Sequence, residues 1–172
     1  VYKRQAFEEL VHLQGMGQLQ SVGVANFYPE VLDEITKATG VTPVLNQVEL
    51  HAGFTQPELR EYHAKHGIVT EAWAPLARGK NFDDPAIAGV ADKHGVTPAQ
   101  VVLAYLLQMG VSVVPKTANP ARLEENLGAL SVKLDDADVA AAADAAVWGA
   151  MSNAGQTCIG IERVYATAPV YD

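Results

Sequence analysis

Lys116 and Arg122 are cations whose setting could do chemistry. Both lie in the stretch Val113-Val114-Pro115-Lys116-Thr117-Ala118-Asn119-Pro120-Ala121-Arg122-Leu123-Glu124-Glu125-Asn126. It reads as a buried strand running into a helix, with Lys116 at the strand exit and Arg122 in the first helical turn. Asn119 suits the N-cap, and Pro120 suits the first helical position, where a missing N–H costs nothing. Such a junction aims free backbone N–H groups, the positive end of a helix and two cationic side chains at one point, which is what a bound phosphate requires. The alternative is an ordinary strand-to-helix turn with two solvated cations, and the rest of the chain has to decide.

The composition bounds the answer. With 172 residues, 49% of them hydrophobic and 19% charged, the chain is one globular domain or part of a larger one. A net charge of -8 excludes nucleic acid or an anionic membrane surface as partner, because both are bound mainly through Lys and Arg. Any anion site must therefore be local. The single cysteine excludes an internal disulfide, and no charged leader or long apolar run is seen, so a reducing cytoplasmic setting is expected. No metal site is expected. Residues 1–5, Val1-Tyr2-Lys3-Arg4-Gln5, resemble the translated end of a sequencing adapter and are set aside from the fold as extraneous.

Four short strands alternate with helices. Ala6 to Leu13 has helical apolar spacing, and Val22 to Asn26 is a strand. Pro29 opens a helix that Gly40 stops, and Val44 to Leu50 is the second strand. Pro57 to His66 is an amphipathic helix closed by Gly67, and Ile68 to Trp73 is the third strand. Helices follow from Asp84-Pro85 and from Thr97-Pro98, the second with a Thr97/Gln100 capping box, before the strand Val111 to Val114. The helix after Pro120 runs to about Ala129, and Asp135 to Ala146 is alanine-rich and helical. Near-continuous apolar strands between helices indicate a parallel sheet covered by helices. Four strands serve either a small doubly wound sheet or half of an eight-stranded barrel. In both, ligands bind at the C-terminal strand ends, where Asn26, Gln47 to His51, Trp73 and Lys116 stand.

Five blocks, in order, resemble the C-terminal half of an aldo-keto reductase. They are Gly23-Val24-Ala25-Asn26-Phe27, Asn46-Gln47-Val48-Glu49-Leu50-His51, Glu71-Ala72-Trp73-Ala74-Pro75-Leu76, Thr97-Pro98-Ala99-Gln100-Val101-Val102-Leu103, and Val114-Pro115-Lys116 through Arg122-Leu123-Glu124-Glu125-Asn126-Leu127. The resemblance implies an α/β fold, the second half of a TIM (β/α)₈ barrel over residues 6–146. It also implies NADPH bound in an extended pose across the strand ends without a Gly-rich dinucleotide loop, and no GxGxxG occurs here.

Position by position, the resemblance implies that Asn26 and Gln47 hydrogen-bond the nicotinamide carboxamide and that Trp73 stacks on the ring. Lys116, Thr117 and Arg122 would hold the adenosine 2′-phosphate, with Glu125 and Asn126 at the adenine; these two follow Arg122 by three and four positions and share its helix face. The bland readings are strand-end capping for Asn26 and Gln47, and core packing for Trp73. His51 is read as structural, and His12, His63, His66 and His94 as solvated residues of amphipathic helices. Ala25 and Ala74 stand where the family usually has Ser, and Thr117 replaces a Ser while keeping the hydroxyl.

The family's catalytic Asp, Tyr, Lys and His come from the other half of the barrel and have no counterpart here, so the chain is expected to bind cofactor without reducing carbonyls. The small aldehyde or ketone substrate would belong to the complete enzyme. After Ala146, residues 147–172 are similar to the nucleophile region of aldehyde dehydrogenases, whose Gly-Gln-X-Cys motif matches Gly155-Gln156-Thr157-Cys158. Cys158 would be the nucleophile in that setting, but the dinucleotide domain, general base and oxyanion donors do not precede it, so an idle cysteine is expected. Two unrelated pieces joined at a helix end suggest a chimeric chain. A non-catalytic nucleotide-binding module is a further reading. An open half barrel is also expected to self-associate through its sheet edges.

Overall fold

The computed structural model describes residues 2–79 and 82–151. Its first helix, α1 (Tyr2–Gly15), includes four of the five residues set aside above, and Arg4 Nε lies 2.8 Å from Glu8 Oε1 one turn on. There follow β1 (Val24–Ala25), α2 (Pro29–Thr39), β2 (Leu45–Glu49), α3 (Pro57–His66) and β3 (Val69–Trp73). A 3₁₀ turn (Ala77–Gly79) leads to α4 (Pro85–His94), α5 (Pro98–Gln108), β4 (Ser112–Val114), α6 (Pro120–Gly128), a second 3₁₀ turn (Ala129–Ser131) and α7 (Asp136–Met151).

Local chemistry explains the boundaries. Proline stands at the first turn of α2, α3, α4, α5 and α6. Asp84 and Asn119 cap their helices by accepting from Ala86 N and Ala121 N. At the other ends Gly40, Gly67 and Gly95 take the left-handed conformation that an L side chain resists. The strand expected at 22–26 is regular only over two residues, yet its pairing extends further: Val44 N donates to Val22 O and Asn26 N to Gln47 O, each at 2.9 Å. Gly23 lies so close to β2 that an added Cβ would meet Leu45 O at 3.1 Å. α7 continues five residues beyond the expected end at Ala146. Of residues 147–151 only Gly149 disfavours helix.

The strands pair in parallel in the order β1-β2-β3-β4. Sequential order is that of a singly wound sheet; a doubly wound one would reverse direction at a switch point. Burial alternates along β2 and β3. Asn46, Val48, Thr70 and Ala72 are buried, whereas Leu45, Gln47, Glu49, Glu71 and Trp73 on the opposite face are partly exposed. Val69 and Val114 are 49% and 45% exposed. The described helices bury one face and leave the other open, as a half barrel would. Two clusters form that core. Phe7, Val22, Leu32, Ile35 and Ile68 pack between α1, α2 and the sheet, and Val48, Leu50, Ala72, Ile87, Val101, Leu106, Val111 and Ala142 pack under α4, α5 and α7. Val101 to Leu106 of α5 are all buried, so this helix is apolar on every side.

The capping box of α5 also fastens α6. Gln100 N reaches Thr97 Oγ1 at 3.3 Å, Thr97 N reaches Gln100 Oε1 at 3.0 Å, and the same two side chains donate to Glu125 Oε1 and Glu125 O at 2.6 and 2.9 Å. Gly128 leaves room for them, because an added Cβ would displace the Gln100 amide nitrogen from its bond to Glu125 O. Thr97→Ala is expected to cost about 1 kcal/mol and Gly128→Ala about 1–2 kcal/mol. Because both act through Gln100, their urea-unfolding penalties should be sub-additive; full additivity in a double-mutant cycle would refute the shared mechanism.

Candidate cofactor site at the strand ends

The loops leaving β1, β2 and β3 share an unusual backbone. Asn26, Gln56, Ala74, Ala77 and Arg78 are non-glycine residues with φ of 58°, 43°, 52°, 45° and 59°. Left-handed conformations at such residues cost energy and cluster where the fold needs a particular side-chain direction. Asn26 and Ala74 follow their strands directly, so each chain turns sharply at the C-terminal edge of the sheet.

That turn brings Asn26 and Trp73, 47 residues apart in sequence, together: Trp73 Nε1 donates to Asn26 Oδ1 at 2.9 Å. One step deeper, Gln47 Nε2 donates to Glu71 Oε1 at 2.7 Å, and Ser112 Oγ donates to Glu71 Oε2 at 3.0 Å. This polar ladder crosses three strands on the open face. Glu71 falls within one of the five blocks without a role read from the sequence; a carboxylate at the centre of a strand was the available signal. Ala25, which pairs in register with Gln47, adds no hydroxyl to it.

The cationic junction lies at the next strand. Trp73 pairs in register with Val114, two residues before Lys116. Lys116 and Arg122 are exposed and form no ion pair among the described residues. Thr117 Oγ1 accepts from Asn119 N at 3.0 Å and so shapes the loop that delivers the α6 N-terminus. These are donors left available for an anion, which fits a phosphate. Glu125 and Asn126 are half-buried; the Glu125 carboxylate is already engaged by Thr97. No contact joins this group directly to Asn26 or Gln47. Cys158 lies outside the described residues.

The histidines need correction. His63 is not solvated but wholly buried, with Nε2 3.0 Å from Asn46 Nδ2 and Nδ1 2.8 Å from Thr70 Oγ1. An amide N–H₂ can only donate, so Nε2 accepts and Nδ1 carries the proton. His94 is partly buried and paired with Asp138 at 2.7 Å. Lys93 and His94 together hold the Asp138 carboxyl well below the usual carboxylate range, fastening α7 to α4. His12 and His66 are exposed, as expected, and His51 is buried with Nδ1 2.8 Å from Ala52 O. Of the tyrosines, Tyr62 is pushed up to about 12 by burial and its bond to Asp33, and burial also raises Tyr105.

Burial lowers the His63 imidazole from its ordinary value, with His66 adding to the effect. The unfolded chain then binds the proton more readily than the folded one. The stability from keeping His63 neutral is present above about pH 6.5 and is lost as the pH falls toward the lowered native value. The urea midpoint should therefore drop between about pH 7 and pH 5, and His63→Gln should flatten that slope. An equal slope in the variant would assign the titration elsewhere.

With this geometry in place, comparison with known proteins is direct. The model of the Aldo/keto reductase family matches residues 2–146. An aldo-keto reductase of Mycolicibacterium smegmatis is 44% identical over 133 residues, covering 77% of this chain and 48% of the relative. Methylglyoxal reductase DkgA of Escherichia coli is 42% identical over 133 residues, covering 76% of this chain and 48% of the relative. A crystal structure of a Gox0644 mutant in complex with NADPH has a TM-score of 0.78 and 47% identity, covering 81% of this chain and 51% of that one. The chain thus spans about half the length of the curated relatives it matches. A match of this extent, with the same fold at high identity, means that the chain belongs to the aldo/keto reductase family.

Proposed function

We propose that residues 6–146 are the cofactor-binding half of an NADPH-dependent aldo-keto reductase, the second half of a (β/α)₈ barrel. The observation that carries this reading is the Asn26–Trp73 pair at the sheet's C-terminal edge, beside a strand leading to two cations with no described ion-pair partner. The NADPH complex of a solved relative supports the choice of cofactor. The name methylglyoxal reductase on another supports a small aldehyde or ketone as the substrate of the complete protein. The single cysteine suits a cytoplasmic setting.

Bound NADPH supplies a hydride to the carbonyl carbon. Asn26 and Gln47 would orient its carboxamide, and Trp73 would pack against the ring. Lys116, Thr117 and Arg122 would hold the 2′-phosphate at the positive end of α6, and Glu125 and Asn126 would border the adenine. Neither Tyr62 nor Tyr105 suits proton delivery, since both hold their protons more tightly than a free phenol. The proton donor is assigned to the other half of the barrel, and the open sheet face and edges are where that half, or a second copy of this chain, docks.

The test is to titrate NADPH with the purified chain and then add an aldehyde panel that includes methylglyoxal. The expected result is a change in nicotinamide emission without NADPH consumption. Absence of any emission change would defeat the cofactor reading, and turnover would defeat the assignment of the acid elsewhere. If adding the N-terminal half of a relative brings no turnover, the reading as a non-catalytic nucleotide-binding module is preferred. Residues 147–172 are a separate proposal, an aldehyde dehydrogenase-like piece, which rests on the Gly155-Gln156-Thr157-Cys158 motif alone. Source DNA reading without interruption across codons 145–150 would refute a chimera there.

A further inference from the structure

Asn26 can serve a cofactor only if its turn is held. Its φ of 58° lies in the left-handed region, which asparagine tolerates better than other residues with a side chain but does not adopt by default, and Asn26 is exposed, so its neighbours help to hold it there. The next residue supplies it. Phe27 N donates to Asn46 Oδ1 at 3.3 Å and Phe27 O accepts from Asn46 Nδ2 at 2.8 Å, so one side-chain amide grips both backbone groups of one residue. Asn46 is fully buried on the helix-covered face of β2, adjacent in sequence to Gln47 on the open face.

An amide that turned over would set its oxygen against Phe27 O and its N–H₂ against Phe27 N. The second Nδ2 hydrogen is taken by His63 Nε2, which accepts only because the ring's proton sits on Nδ1, facing Thr70 Oγ1. Both Nδ2 hydrogens and the Oδ1 of Asn46 are thereby engaged, and each contact admits a single orientation. The chain of bonds runs from Thr70 on β3 through His63 on α3 and Asn46 on β2 to the residue after Asn26.

We propose that Asn46, locked by His63 and Thr70, is a positioning residue that sets the left-handed turn at Asn26 and so presents its carboxamide, with Trp73, to the nicotinamide. This rests on the cofactor reading above. It assigns Asn46 no contact with the ligand, and it concerns only the nicotinamide end, since the Lys116–Arg122 junction belongs to β4 and α6.

Two ligands separate the ends: NADPH, followed by nicotinamide emission, and adenosine 2′,5′-bisphosphate, followed by calorimetry. Loss of a grip of this kind is expected to weaken NADPH about three- to tenfold in Asn46→Ala and to reduce the emission change, with bisphosphate affinity unchanged within about twofold. His63→Gln, which can still offer an oxygen to Asn46 Nδ2, should retain most of the NADPH affinity. Thr70→Val, nearly isosteric, should weaken NADPH alone and decides the matter if Asn46→Ala does not fold. If the native chain binds both ligands and the folded Asn46→Ala and Thr70→Val proteins keep NADPH affinity, or lose both ligands equally, the positioning role is wrong while the cofactor reading stands. If the native chain binds neither, the cofactor reading fails and this inference with it.

Discussion

If the proposed cofactor site is right, replacing Lys116 and Arg122 together by alanine is expected to remove any preference for NADPH over NADH. The two side chains are exposed, stand on either side of the α6 N-cap and have no described ion-pair partner, so removing them leaves no buried charge orphaned. A charge-assisted contact contributes about 1.5–3 kcal/mol, so in the proposed site each cation would account for roughly a ten- to hundredfold difference in affinity for the 2′-phosphate. NADH lacks that phosphate, and its affinity should move by less than about threefold. Parallel fluorescence titrations give both numbers. Equal weakening of the two dinucleotides would show that the residues act on the pyrophosphate or on folding, and no change in either would remove the junction from the site. The Thr117 hydroxyl, which ties the loop to Asn119 N, is the natural third substitution, with a smaller expected effect because it shapes the loop rather than supplying charge.

Leu106→Ala should be among the most damaging single changes to stability. Leu106 is fully buried in the last turn of α5, closing a run of six buried residues, in the cluster that joins β2, β3, α4 and α7. Truncating a buried leucine costs about 2–5 kcal/mol, the spread depending on how far the surroundings collapse into the cavity. Here collapse is opposed from several sides, since α5 contacts α4, α6, α7 and β4 at once. A domain with one sheet face uncovered has little stability to spare, and a loss of that size is a large fraction of a typical total. Urea unfolding followed by circular dichroism should show the midpoint fall steeply. A cost below about 1 kcal/mol would mean that α5 is less central than its burial indicates.

Acid sensitivity has two separable origins. The Asp138 carboxyl, held low by Lys93 and His94, loses its partners only as the pH falls below the ordinary carboxylate range, whereas His63 acts nearer neutrality. The first loosens α7 from α4 and leaves the site untouched. The second reaches Asn26 through Asn46.

Much of this was legible in the chain itself, because it depended on local chemistry. Proline at a first turn, a capping side chain and a closing glycine are short-range signals, and they placed α3 at Pro57–His66 and the caps at Asp84, Thr97 and Asn119. The order of motifs pointed to the family to which the chain belongs. Exposure was harder to read. His63, His66 and His94 sit near the ends of helices with similar composition, yet one is buried, one exposed and one paired with a carboxylate 44 residues away. Nothing in helical periodicity says which side of α3 the sheet will lie on. The same limit hid Glu71, whose role depends on Gln47 and Ser112 arriving beside it.

The sequence by itself determined where elements begin and end, the candidate residues at the strand ends and the cationic junction at Lys116, since each follows from residue type and short spacing. Only the tertiary structure decided that the strands lie in sequential order with one face open, that Asn26 meets Trp73, and that Asn46 and His63 stand behind that meeting. Those contacts join residues 17 to 47 positions apart, and a pairing over such distances is settled by how the strands pack side by side, not by any local preference.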